Sequence, residues 1–198
     1  MQYSTDGENW RTAYGSDEIN IAQGQSLYLR GNNPPGWSKG FSQYSTLSIT
    51  GDASITGNVM GLLDNGAASE EGDITDIPCD YCFFGLFLDS TGITSISDDF
   101  LPATSLATGC YYGMFACCTS LTAAPELPAT TLIDNCYDSM FNGCWKLNSI
   151  KIGYTGYYDL NSMRNWVEGV ADSGTFYYNG GYTPQHFQLP SGWTKTPF

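Results

Sequence analysis

LPATSLATGCYYGMFACCTSLTAAPE (101–126) runs directly into LPATTLIDNCYDSMFNGCWKLNSIKI (127–152), and the two stretches are one unit written twice. Aligned without a gap, they agree at eleven of 26 positions. The shared positions are Leu101/Leu127, Pro102/Pro128, Ala103/Ala129, Thr104/Thr130, Leu106/Leu132, Cys110/Cys136, Tyr111/Tyr137, Met114/Met140, Phe115/Phe141, Cys118/Cys144 and Leu121/Leu147. A fixed period of 26 falls within the range of roughly 20–50 residues typical of stacked repeats. The shared residues are mostly apolar, as expected when each unit buries its face only against the next. A looser third copy lies upstream, where Cys82, Leu86, Phe87 and Ile93 match Cys110, Met114, Phe115 and Leu121 at an offset of 28.

Within a unit, Ile93–Ser97 and Leu147–Ile152 mix apolar and polar residues as half-buried strands do. Cys110, Met114, Phe115 and Cys118 follow one another at spacings of 4, 1 and 3, which reads as one face of a short helix. The expectation is therefore an α+β, β-rich fold. It is a short leucine-rich-repeat solenoid of about three repeats, with a β-rich N-terminal cap and a helix-plus-strand C-terminal cap.

The pattern LPATxL…CYxxMFxxCxxL resembles the repeat of the BspA-like leucine-rich repeat proteins of gut Bacteroidales and their phages. QYSTDGENW (2–10) resembles that family's N-terminal cap and GNVMGLL (57–63) its lead-in. NWVEGVADSGTFYY (165–178) and LPSGW (189–193) resemble its closure. The resemblance implies adhesion or host binding and brings no catalytic residues with it.

Three stretches divide the chain: a β-rich cap over 1–78, the repeats over 79–152 and a C-terminal cap over 153–198, expected to form one continuous structural unit. In the first, Tyr3, Trp10 and Tyr14 surround an Asp6-Gly7 turn signal that suggests a hairpin. Ile19–Ile21, Ser26–Leu29 and 46–57 carry a strand-like rhythm. In the last, a helix is expected from Asp159 or Asn161 to about Val170, with Leu160, Met163, Trp166 and Val167 as its apolar stripe. Thr175–Tyr178 reads as a strand.

Partners are bounded by charge. A net charge of −13 opposes nucleic acid and anionic membrane, both of which demand a basic patch. No apolar run reaches the ~20 residues of a membrane span, and the N-terminus carries no signal-peptide pattern. The acid-rich stretch 64–76, with Asp64, Glu70, Glu71, Asp73 and Asp76, reads as a solvated loop, with calcium binding as the sharper alternative.

Seven cysteines include a Cys79-Asp80-Tyr81-Cys82 spacing that suits zinc or redox chemistry. The recurrence of Cys82, Cys110 and Cys136 in one column, and of Cys118 and Cys144 in another, favours buried free thiols filling a core. The lone His186 has no second imidazole to join it. Zinc-protease, phosphate-loop and dinucleotide motifs are absent. The 20 carboxylates leave a polysaccharide-active enzyme as a remote reading, so the expectation is a protein that is not an enzyme and uses no cofactor.

The functional expectation is a non-catalytic binding or adhesion module for a surface glycan or protein, placed extracellularly, on a cell surface or on a virion. A structural spacer or assembly subunit, with self-association, is the alternative. Candidate contacts are positions expected to be exposed that differ between copies, Tyr112, Asp138, Trp145 and Lys146. Trp37 joins them, an indole on the Gly31–Gly40 loop suited either to stacking on a sugar or to covering nearby core.

Overall fold

The computed structural model describes residues 1–64, 75–156, 160–181 and 187–198. Most of the 64–76 loop and His186 therefore lie outside the described residues. Among the described residues eight short strands are present: β1 (Gln2–Ser4), β2 (Arg11–Thr12), β3 (Tyr28–Arg30), β4 (Ala53–Ile55), β5 (Ile93–Ile96), β6 (Ser149–Ile152), β7 (Ser173–Tyr178) and β8 (Gly192–Pro197). They form an antiparallel sheet β2-β1-β3, a parallel pair β4-β5 and a parallel sheet β6-β7-β8.

This corrects the expected architecture. The ordered structure is three small sheets of two or three strands, and they do not close into a solenoid. Among the described residues α-helix is confined to α1 (Leu160–Met163), so the chain is not a leucine-rich-repeat solenoid of strands and helices. The run Cys110–Cys118, read as helical from its spacing, is a succession of tight turns.

The backbone of that run explains the misreading. Every fourth residue is left-handed: Gly109 (φ 59°), Gly113 (57°) and Cys117 (60°). The pattern recurs at Tyr81, Gly85 and Asp89, at Asn135, Ser139 and Gly143, and at Asn165 and Gly169. Each such residue ends one turn and begins the next. Amide hydrogen bonds alternate accordingly. Tyr112, Met114 and Ala116 donate to the carbonyls three residues back, Gly109, Tyr111 and Gly113. The amides between them cross to the following run, Tyr111 to Cys136, Gly113 to Asp138 and Phe115 to Met140. Every second amide thus closes a turn and every other one ties two runs together, so the buried backbone is satisfied without helix or long strand.

Of the four residues in each turn, the first two point inward. Cys110 with Tyr111, and Met114 with Phe115, are buried, as are Cys136 with Tyr137 and Met140 with Phe141. Equivalent rings lie over one another, with Phe87, Phe115 and Phe141 at successive centroid distances of 5.6 and 5.7 Å and nearly parallel. Phe83, Tyr111 and Tyr137 stack likewise at 6.0 and 6.2 Å. Cys118 and Cys144 sit in the same core, their thiols donating to the Phe87 and Phe115 carbonyls of the preceding run.

The turn pattern does not stop at Ile152. Ser139, Phe141 and Gly143 donate to the carbonyls of Arg164, Trp166 and Glu168, which makes 160–170 a fourth run over the third. The expected helix through Val170 is thus only α1, followed by turns with Asn165 and Gly169 left-handed. Met163, Trp166, Val167 and Val170 are buried, and Trp166 Nε1 donates to the Phe187 carbonyl.

At the N-terminus, β1 and β2 form a hairpin whose turn is held by Asp6. Its carboxylate accepts from the Asn9 side chain and amide, the Ser4 hydroxyl and the Glu8 amide, and these bonds hold its pKa well below the usual range. Ile19–Ile21 forms no strand, and 46–57 yields only β4, which lies parallel to β5.

Candidate ligand-binding face

The third residues of successive turns form a second column beside the core, covered at Phe84 and Asp138, half-buried at Tyr112 and exposed at Arg164. Cross-run bonds from Gly85 to Tyr112, Gly113 to Asp138 and Ser139 to Arg164 put Phe84, Tyr112, Asp138 and Arg164 in line. The column changes chemistry along its length, aromatic for the first two residues and ionic for the last two.

Around the aromatic half, the loop after Gly40 adds two more rings. Phe41 meets Phe84 at 4.8 Å and Tyr112 at 5.0 Å, both edge to face, and Tyr44 meets Phe84 at 5.2 Å. Phe84 and Tyr112 stack at 5.2 Å, and Tyr81 closes the group against Phe41 and Phe84. Five rings therefore share one surface. Phe84 is buried at its base, whereas Phe41 keeps 65% and Tyr44 46% of its surface in water. A contiguous exposed aromatic patch is the kind of feature that marks an interaction site on a protein.

The ionic half is bound tightly to the fold. Asp138 Oδ2 accepts from Arg164 Nε at 3.1 Å and Nη2 at 2.9 Å, and Oδ1 accepts from the Ser139 hydroxyl at 2.8 Å. The carboxylate is 1% exposed while the arginine side chain is 56% exposed. The hydrogen bonds to Asp138, then its charge, push the Arg164 pKa up, with a further contribution from Tyr112. Arg164 also lines a shallow depression of about 310 Å³ with Asp134, Asn135 and Asn161.

No family model matches the chain, and no curated protein or solved structure is similar to it.

The five residues expected to make contacts are scattered. Tyr112 belongs to the aromatic face. Asp138, expected to be exposed, is instead buried and spends its charge on Arg164. Trp37 is half-buried against the core, its Nε1 donating to the Ser45 carbonyl at 2.8 Å. Trp145, 70% exposed, and Lys146 stand together after the third run, and Trp145 makes no ring contact with the aromatic face. Sequence reasoning passed over Phe41, Tyr44 and Phe84, which lie outside the clear repeats, and Arg164, which lies in the degenerate fourth run. Phe84 and Arg164 had a usable signal, since Phe84 precedes Tyr112 by 28, the offset of the looser copy, and Arg164 follows Asp138 by 26.

Among the described residues no three His, Cys, Asp or Glu side chains gather as a metal site would require, and no helix is long and apolar enough to cross a membrane.

Proposed function

We propose that this protein is a non-catalytic binding module that holds a surface glycan or protein against the face made by Phe41, Tyr44, Tyr81, Phe84 and Tyr112. The observation that carries this reading is the exposure of Phe41 and Tyr44 above a packed aromatic base. Rings fixed by their neighbours lose little entropy on binding, and tyrosine adds a hydroxyl at the rim. The resemblance of the repeat to BspA-like proteins points the same way and suggests an extracellular, cell-surface or virion setting. A role as a self-assembling spacer is less favoured by the end strand. Among the described residues β8 pairs only with β7, and it carries Lys195 and Pro197, both of which discourage further strand addition.

The test is retention of glycans and surface proteins by the full chain, on an array and on whole cells, beside Phe41→Ala and Tyr44→Ala variants. Binding that falls in both variants while thermal unfolding stays unchanged supports the proposal. Retention of no partner, or retention indifferent to both substitutions, overturns it.

A further inference from the structure

Cys79 and Cys82 are brought together at the edge of the aromatic face. Left-handed Tyr81 (φ 54°) folds the backbone between them. On the other side lies Gly36, at φ 101°. A Cβ at Gly36 would stand 2.5 Å from Cys79 Sγ and 3.4 Å from Cys82 Cα, so the sulfur of one and the backbone of the other flank a single point. Burial first, then the adjacent Cys79, push the Cys82 thiol well up. Cys79 is partly exposed and Cys82 fully buried, which gives the pair one accessible sulfur and one sheltered one.

The same corner anchors the neighbouring loop. The amides of Trp37 and Ser38 both donate to the Cys82 carbonyl, at 2.8 and 3.0 Å. The Tyr81 ring lies under Gly40, where an added Cβ would meet it at 3.3 Å.

We propose that Cys79 and Cys82 are a reversible dithiol that closes to a disulfide under a small-molecule disulfide oxidant such as oxidised glutathione, bracing the corner whose Cys82 carbonyl holds the 36–40 loop. The Cys79 thiolate attacks oxidised glutathione, forming a mixed disulfide and releasing one glutathione thiolate. The Cys82 thiol then gives its proton to water and displaces the second glutathione. Two protein thiols become one disulfide, and one glutathione disulfide becomes two thiols. The remaining cysteines take no part. Cys110, Cys118, Cys136 and Cys144 are sealed in the core, and Cys117, although partly exposed, neighbours Asp89. The inference does not depend on what the aromatic face binds.

The full chain is incubated natively with oxidised glutathione, quenched in acid, denatured, alkylated and mapped by peptide mass. The expected result is that the Cys79–Cys82 peptide takes no alkyl group and has lost two hydrogens, while the other five cysteines are alkylated. Cys82→Ser should stop at glutathione-modified Cys79, and Cys79→Ser should stay unmodified at Cys82. Tryptic cleavage after exposed Lys39 should slow severalfold on oxidation and recover with reductant. Alkylation of both cysteines, glutathione left on Cys79 beside an alkylated Cys82, or cleavage at Lys39 indifferent to oxidation, would overturn the proposal.

Discussion

The Phe115 ring lies 5.7 Å from that of Phe141 and within 4° of parallel, and both are fully buried. Phe115 is also the middle of three, with Phe87 at 5.6 Å on its other side. Phe115→Ala therefore removes a ring with packed faces above and below, at a cost of about 3–5 kcal/mol for a buried aromatic. Urea unfolding should show the midpoint falling accordingly. A loss under about 1 kcal/mol, the size of a surface effect, would contradict the stack.

The turn runs can be told from helices by the sign of one substitution. Gly113 is left-handed at φ 57°, and a Cβ there meets no atom within 4 Å. Gly113→Ala should thus destabilise by about 1–2 kcal/mol from backbone conformation alone. In a helix the same change would stabilise by about 1 kcal/mol. The direction of the thermal shift decides between the two.

Tyr111 offers a gain. Its hydroxyl is buried and has no hydrogen-bond partner, while the equivalent position one run earlier is Phe83. Tyr111→Phe should leave the stack intact and stabilise the protein by about 1–3 kcal/mol, the usual penalty of an unmet buried polar group. Equilibrium unfolding that shows a loss instead would point to an unrecognised role for that oxygen.

Alkali should weaken the fold through its thiols. Burial pushes Cys118 up to about 12, and Cys82, Cys110 and Cys144 are raised as well. Below the ordinary thiol value of 9.0 both folded and unfolded chains keep these protons, and stability is complete. Above it the unfolded chain releases them while the folded chain does not. Each such thiol then costs about 1.4 kcal/mol per pH unit until its folded pKa is reached. Urea midpoints compared between about pH 8 and about pH 10 should fall steeply, and Cys118→Ala should flatten the slope.

Arg164→Ala should lower stability more than Arg164→Lys, because the alanine variant leaves the buried Asp138 carboxylate with only the Ser139 hydroxyl from its present set of bonds. The double variant Asp138→Asn, Arg164→Ala should recover part of the loss. Thermal unfolding of the three proteins provides the comparison.

The period of 26 identified which side chains lie over one another, because identical rings at Phe115/Phe141 and Tyr111/Tyr137 are the ones found stacked. It did not identify the backbone. Spacings of 4, 1 and 3 suit a helix of 3.6 residues per turn, but they suit a four-residue turn with two inward positions equally well. The distinguishing sign was already written at Gly109 and Gly113, four apart and outside the apolar set, since left-handed positions favour glycine. Asp138 was misplaced for a different reason. It differs from Tyr112, and variation between copies implies exposure only where no partner varies too, whereas Arg164 varies with it one period later. The aromatic face was illegible because Phe41 and Tyr44 reach it from a loop with no period at all.

The spacing that sets Cys110 beside Cys136 is repeated between Met140 and Trp166, since Phe115 donates to Met140 as Phe141 does to Trp166. Excising 127–152 would bring Met114 over Trp166 and offer the Phe115 amide the Trp166 carbonyl, at the cost of the Asp138–Arg164 pair and of β6.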